Sequence, residues 1–261
     1  MLGAVVGDVV GSAYEFHNVK TKDFELFTKN SCFTDDTILT CATAEWLLTD
    51  KPAEFVLKKW GDKYKNRYYE NGKIAPFGKG FLTWLETGIP YGAKSNGCVM
   101  RISPIGLMEK DLTVALEKAY YLTNLTHNHP ESLKYVSMYI ETMFLVKKGV
   151  GSNKIKTYLS KKYECDLSKS IDEIRPNYNK FYVSCKNSVP QAIVAGLDAV
   201  SFEDAIRNAI SLGGDSDTLA CMAGGIAEIR FGVPECLKIK TMPHLDSCMQ
   251  KVVNDFYQKT R

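Results

Sequence analysis

The sequence predicts an all-α protein. Apolar residues recur at helical spacing through most of the 261 residues. Capping and stop residues punctuate those runs, and strand signals are scarce. About ten helices of the usual ~11–12 residues are expected.

The first ten residues, Met1 to Val10, are apolar apart from Asp8, and Gly7 and Gly11 stand four apart. Such glycines allow close helix packing or backbone approach to a ligand. Ile38–Leu48 and Phe55–Tyr68 are the next helical runs. Asp111–Thr123 puts Leu112, Ala115, Leu116, Ala119 and Tyr120 on one face, with Asp111 as N-cap. Pro130 opens the following helix where no N–H is needed. Leu133, Val136, Ile140 and Phe144 form its stripe, and Lys147-Lys148-Gly149 is its stop. The polar stretch Lys154–Lys180 is expected to be variable surface structure, and Phe181–Cys185 is the best strand candidate. Ser201-Phe-Glu-Asp204 resembles a capping box with Asp in place of Glu. Phe202, Ala205, Ile206, Ala209 and Ile210 follow, and Gly213-Gly214 ends that helix. Thr218–Phe231 is closed by Gly232 and Pro234, and Leu245, Met249, Val252, Val253 and Phe256 give a final amphipathic helix. With no repeat or low-complexity linker, residues 1–261 read as one domain.

Composition excludes several classes. At 45% hydrophobic and 24% charged, the chain is neither disordered nor membrane-embedded as a whole. Lys+Arg 33 against Asp+Glu 30, net +3, argues against a nucleic-acid binder. The eight cysteines contain no C-x-x-C pair, so zinc-ribbon and thioredoxin motifs are absent, and reduced, mostly buried thiols are expected. The apolar start lacks a basic n-region and a cleavage site. No run reaches the ~18 apolar residues of a membrane span. A soluble, cytoplasmic chain is the expectation, and nothing demands an oligomer, so a monomer is expected.

Two segments share a form. Phe33-Thr34-Asp35-Asp36-Thr37 precedes one apolar helix, and Gly213-Gly214-Asp215-Ser216-Asp217-Thr218 precedes another. N-capping accounts for one aspartate at each start, worth ~0.3–1 kcal/mol with the helix dipole. It leaves the second acid over. Four carboxylates in a shared site would raise each other's pKa unless positive charge lay between them. Carboxylates and threonine hydroxyls are hard ligands suited to Mg²⁺, Mn²⁺ or Ca²⁺. Two facing clusters would hold two ions ~3.5–4 Å apart. Three further segments carry candidate chemistry. Gly7-Asp8…Gly11-Ser12…Glu15 ends on an acid. The turn Tyr91–Arg101 contains Lys94, Ser95, Asn96 and Gly97, and its backbone N–H groups suit phosphate. Thr126-His127-Asn-His129-Pro130 has two histidines but no third ligand at obvious spacing, so hydrogen bonding by His127 is favoured over ligation.

In this order the five segments resemble the motif series of the ADP-ribosylglycohydrolases, the family of dinitrogenase reductase-activating glycohydrolase and the ADP-ribosylhydrolases. The resemblance runs from residue 1 to about residue 232, and the paired T-D-D-T and G-G-D-S-D-T motifs are its most specific part. It implies a single compact orthogonal helix bundle. It implies two divalent cations, Mg²⁺ or Mn²⁺, on Thr34, Asp35, Asp36, Asp215, Asp217 and Thr218. Asp35, Asp36 and Glu15 are then catalytic, with Glu15 positioning substrate or water. Substrate contacts fall on Phe77, Gly78, Gly80, Lys94, Ser95, Asn96, Gly97, His127 and Gly214. The implied activity is hydrolysis of the glycosidic bond between ADP-ribose and an acceptor, a protein side chain with arginine as first guess, releasing ADP-ribose. Serine-linked or small-molecule adducts, a non-catalytic ADP-ribose-binding module and a structural, crystallin-like relative are the alternatives. Two departures stand out: Ser95-Asn96-Gly97 replaces the usual G-N-G, and the Phe77 loop lacks the acid some relatives carry.

Overall fold

The computed structural model describes residues 1–67 and 76–260. Among them are fourteen α-helices and no named strand. The helices are α1 (Leu2–Gly11), α2 (Asp35–Leu48), α3 (Ala53–Tyr64), α4 (Lys79–Thr87), α5 (Ser103–Met108), α6 (Leu112–Asn124) and α7 (Pro130–Lys147). Then come α8 (Ser152–Tyr163), α9 (Ile171–Ile174), α10 (Cys185–Asp198), α11 (Phe202–Ser211), α12 (Ser216–Phe231), α13 (Glu235–Thr241) and α14 (Ser247–Thr260). The all-α expectation holds. The count exceeds ten because α4, α5, α9 and α13, at four to nine residues, are shorter than the window in which a helical period is readable. The expected helix end at Tyr68 lies outside the described residues.

Two buried helices form the spine. Every residue of α1 is buried, as is α12 from Ser216 to Ala227. Neither shows an amphipathic stripe, as expected for helices surrounded by protein. They touch backbone to backbone along Gly3, Gly7 and Gly11. A Cβ at Gly7 would lie 2.0 Å from the Ala220 carbonyl oxygen, and one at Gly11 would lie 2.6 Å from Asp217 Cα. This approach sets Asp8 of α1 beside the first turn of α12. Gly7→Ala is therefore expected to destabilise the fold by about 2–3 kcal/mol and lower Tm by about 5–10 °C, measured by calorimetry.

Three local expectations need correction. Lys154–Lys180 is largely helical: α8 buries Ile155, Leu159 and Tyr163 at i, i+4, i+8, and Ser170 and Glu173 make a reciprocal capping box on α9. Phe181–Cys185 is not a strand. Among the described residues its only pairing is an isolated antiparallel bridge from Ser184 to Ser95, and α10 begins at Cys185. Ser201 caps α11 by accepting from Asp204 N, but the Asp204 carboxylate accepts from Val200 N, one residue outside a true capping box. Asp111 caps α6 and Pro130 opens α7 as expected. All eight cysteines are free thiols, four of them buried.

Candidate active site

The N-termini of α2 and α12 converge at one cleft of about 570 Å³. Thr34 caps α2, accepting from Asp36 N, so Asp35 and Asp36 occupy its first turn. Gly213 and Gly214, at φ +74° and +71°, turn the chain so that Asp215 starts α12 and Asp217 sits in its first turn. The positive ends of two helix dipoles thus face the same acids.

Asp8, which the motif reading left without a role, ties the two walls together. Its side chain is fully buried. It accepts from Thr34 N (2.9 Å), Thr34 Oγ1 (2.6 Å) and Thr37 N (3.1 Å), and also from the Thr37 hydroxyl. Asp8, Asp36 and Asp217 bring one carboxylate oxygen each within 4.8 Å of one another. Glu15, Asp215 and Asp217 do the same, so Asp217 belongs to both groups. Thr34 Oγ1 (3.3 Å) and Thr218 Oγ1 (3.2 Å) both reach Asp36 Oδ2. Among the described residues Asp36 Oδ1 is buried with no hydrogen-bond partner. Asp35 lines the same cleft but belongs to neither three-acid group.

The electrostatics are those of a site short of positive charge. Burial, then the neighbouring Asp8, drives the Asp35 and Asp36 carboxyls well above the usual carboxylate range. Burial and Glu15 do the same to Asp217. Asp8 and Asp215 are pushed up to about 6, chiefly by burial and against their hydrogen bonds. A buried acceptor without a donor costs about 1–3 kcal/mol, and Asp36 Oδ1 is such an acceptor. Hard oxygen donors around an orphaned carboxylate oxygen fit a divalent cation, which Asp8, Asp36, Asp217, Glu15 and Asp215 can hold.

The opposite wall is the Ser95–Gly97 turn. Asn96 Nδ2 donates to Asp215 Oδ2 at 2.6 Å, joining this wall to the acids. Ser95 Oγ lies 2.9 Å from His127 Nε2, and His127 Nδ1 lies 2.8 Å from Thr126 Oγ1. Burial, aided by Arg101, lowers the His127 pKa to about 3, so its ring is neutral. Arg101 is fully buried in the cleft wall and donates to Thr126 Oγ1, while its Nε and Nη1 have no partner.

Of the expected substrate contacts, Gly78, Gly80, Ser95, Asn96, Gly97 and His127 line the cleft. Phe77, Lys94 and Gly214 do not. Phe77 is buried against Phe81. Lys94 is exposed and contributes its carbonyl to Cys185 N. Gly214 is clamped on both backbone atoms by the Asn18 amide. Asn18 also donates to the Glu15 carbonyl at 2.9 Å, so one side chain couples the Glu15 segment to the start of α12. Asn18 and Phe181 are contributions from outside the motifs, and Asp8 and Tyr91 lie within motif segments but were given no role there.

A family model described as ADP-ribosylglycohydrolase matches residues 1–260. The chain belongs to the ADP-ribosylglycohydrolase family. Among curated relatives of this ADP-ribosylglycohydrolase, the ADP-ribosylarginine hydrolase Tri1 of Pseudomonas putida (strain GB-1) is 22% identical, over 97% of this chain and 76% of that one. The ADP-ribosylhydrolase ARH3 of Bos taurus is 23% identical, over 90% and 84%. A solved structure titled as an ADP-ribosylglycohydrolase-related protein complex superposes with a TM-score of 0.74 at 18% identity, covering 100% of this chain and 96% of the other. That likeness bears on the fold, and it agrees with the all-α architecture. Family membership gives the coarse activity, hydrolysis of ADP-ribosyl adducts. No helix among the described residues is long and apolar enough to cross a membrane.

Proposed function

We propose that the chain is a divalent-cation-dependent hydrolase that cleaves the bond between C1″ of ADP-ribose and an acceptor side chain, with arginine as the preferred acceptor. The observation that carries the reading is the pair of carboxylate groups sharing Asp217 at the floor of the cleft, with Asp36 Oδ1 unsatisfied. Asp8, Asp36 and Asp217 form one candidate cation site, and Glu15, Asp215 and Asp217 form the other. Two divalent cations, Mg²⁺ or Mn²⁺, held by these residues would supply Lewis-acid charge to the reaction.

The remaining chemistry belongs to the chain. The Ser95–Gly97 turn favours the diphosphate, with the buried Arg101 charge lying behind it. Neutral His127 holds Ser95 Oγ in place. Glu15, half-buried at the cleft edge, orients water toward C1″ and accepts its proton. The C1″–N bond breaks through an oxocarbenium-like state, the hydroxyl ends on C1″, and the proton ends on the guanidine nitrogen. The name of the Pseudomonas relative supports arginine as acceptor.

Glu15→Gln keeps the size and loses the base. The expected result is a fall in kcat of about 10²–10⁴-fold on ADP-ribosylarginine, with ADP-ribose binding retained. Full turnover by this variant would remove Glu15 from the reaction. Absence of Mg²⁺-dependent release of ADP-ribose from any adduct by the wild-type chain would overturn the function.

A further inference from the structure

Two exposed aromatic rings stand at the acidic end of the cleft. Phe16, next in sequence to Glu15, is 58% exposed, and Phe181 is 46% exposed. Their rings stack with centroids 5.7 Å apart and planes within 12°. Phe181 lines the cleft together with Val183, itself 49% exposed. Both segments are held from behind. Asn18 fixes the Glu15 segment, and Asn96 N donates to the Val183 carbonyl at 2.8 Å. Two large apolar side chains this exposed, stacked together on anchored backbone beside a site, offer a surface for contact with a ligand.

We infer that Phe16 and Phe181 form the acceptor platform of the cleft, which receives the planar cationic guanidinium of the leaving group. The inference rests on the hydrolase reading above. Two arguments select the leaving group over the nucleobase. The scissile nitrogen is one bond from C1″, so it must lie beside Glu15. Asn18 ties the Glu15 carbonyl to that of Gly214, a Cβ at Gly214 would lie 3.8 Å from Phe181 Cα, and Phe16 stacks on the Phe181 ring. The base lies two riboses and a diphosphate away. The field has the matching sign as well. Glu15, Asp215 and Asp217 group their carboxylates in the cleft that Phe181 also lines, which suits a cation on an aromatic face and offers nothing to a neutral base. Serine, with no cation and no planar group, gains nothing from the rings.

The test uses Phe16→Leu and Phe181→Leu, singly and together, which keep apolar bulk and remove the π face. Phe16→Tyr and Phe181→Tyr serve as rescues. Initial rates on ADP-ribosylarginine and ADP-ribosylserine peptides are measured alongside the inhibition constant of free ADP-ribose, which carries the nucleobase but no acceptor. The double Leu variant should raise KM for the arginine adduct by about 3- to 30-fold with kcat little changed. The Tyr variants should restore it. The serine-adduct KM and the ADP-ribose inhibition constant should not move. An equal loss in the ADP-ribose constant would mean that the rings hold the nucleobase and would overturn the assignment, as would an unchanged arginine KM. A wild-type chain that cleaves the serine adduct but not the arginine adduct overturns the platform and leaves the hydrolase reading standing. One that binds ADP-ribose and cleaves nothing overturns both.

Discussion

Asp217→Asn should abolish turnover while making the cation-free protein more stable. Asp217 belongs to both carboxylate groups, so its loss weakens both candidate cation sites at once. A fall in kcat/KM on the order of 10³-fold or more is expected, larger than that from a residue serving one site. Stability moves the other way. Asp217 is buried, and its carboxyl is held well above the usual range by burial and then by Glu15, Asp215 and Asp36. An amide removes that repulsion, and Asn remains able to accept from Thr218 N as Asp217 Oδ1 does. In a chelated sample Tm should rise in the variant, and the stabilisation by Mg²⁺ seen in the wild type should be largely lost. Calorimetry with EDTA and with Mg²⁺, together with initial rates, reads both effects. A variant that loses activity, loses Tm under EDTA and keeps its Mg²⁺ response would make Asp217 a structural residue.

The sequence reveals the ends of the site better than its middle. Asp35, Asp36, Asp215 and Asp217 stand out because capping is local. An acid at an N-cap is explained by a few neighbouring residues, and a second acid beside it is visibly unexplained. Asp8 is harder to see. It lies inside an apolar run and reads as an interruption. Its role depends on Thr34 and Thr37, 26 and 29 residues away. A signal was present, because an acid inside a helix with no polar face must find donors elsewhere in the fold. Gly7 and Gly11 were legible as points of close approach, but their partner α12 lies more than 200 residues on and is fixed only by the whole fold. Phe181-Tyr-Val-Ser-Cys185 has strand composition and becomes an extended segment with one bridge, because the turn at Ser95 offers it no ladder. Phe77, Lys94 and Gly214 were carried over by motif position, which gives neighbourhood and not which atoms face the cleft. The Phe16 and Phe181 stack joins residues 165 apart and leaves no trace in either local pattern.

Without cations, stability should fall as pH rises. An unfolded Asp ionises near 3.8, while Asp8 and Asp215 ionise at about 6 in the fold. The folded state therefore binds more protons than the unfolded state between those values. The stability of these groups is full below about 4 and is lost as pH climbs through about 6. Each such move is worth about 3 kcal/mol. Asp35, Asp36 and Asp217, raised well above the usual carboxylate range by burial, act in the same direction. This sign is opposite to that of a carboxylate in a salt bridge. Divalent cations reverse it, because they compete with protons for the same oxygens and are favoured once the carboxyls ionise. Thermal unfolding from pH 5 to 8 under EDTA should show Tm declining through about pH 6. The increment from millimolar Mg²⁺ should be near zero at pH 5 and reach several degrees at pH 8. The two curves diverge only if the acids share a cation site. Parallel curves would mean that the carboxyls are neutralised within the chain, and Asp36 Oδ1 would then need a proton rather than a cation to explain its burial.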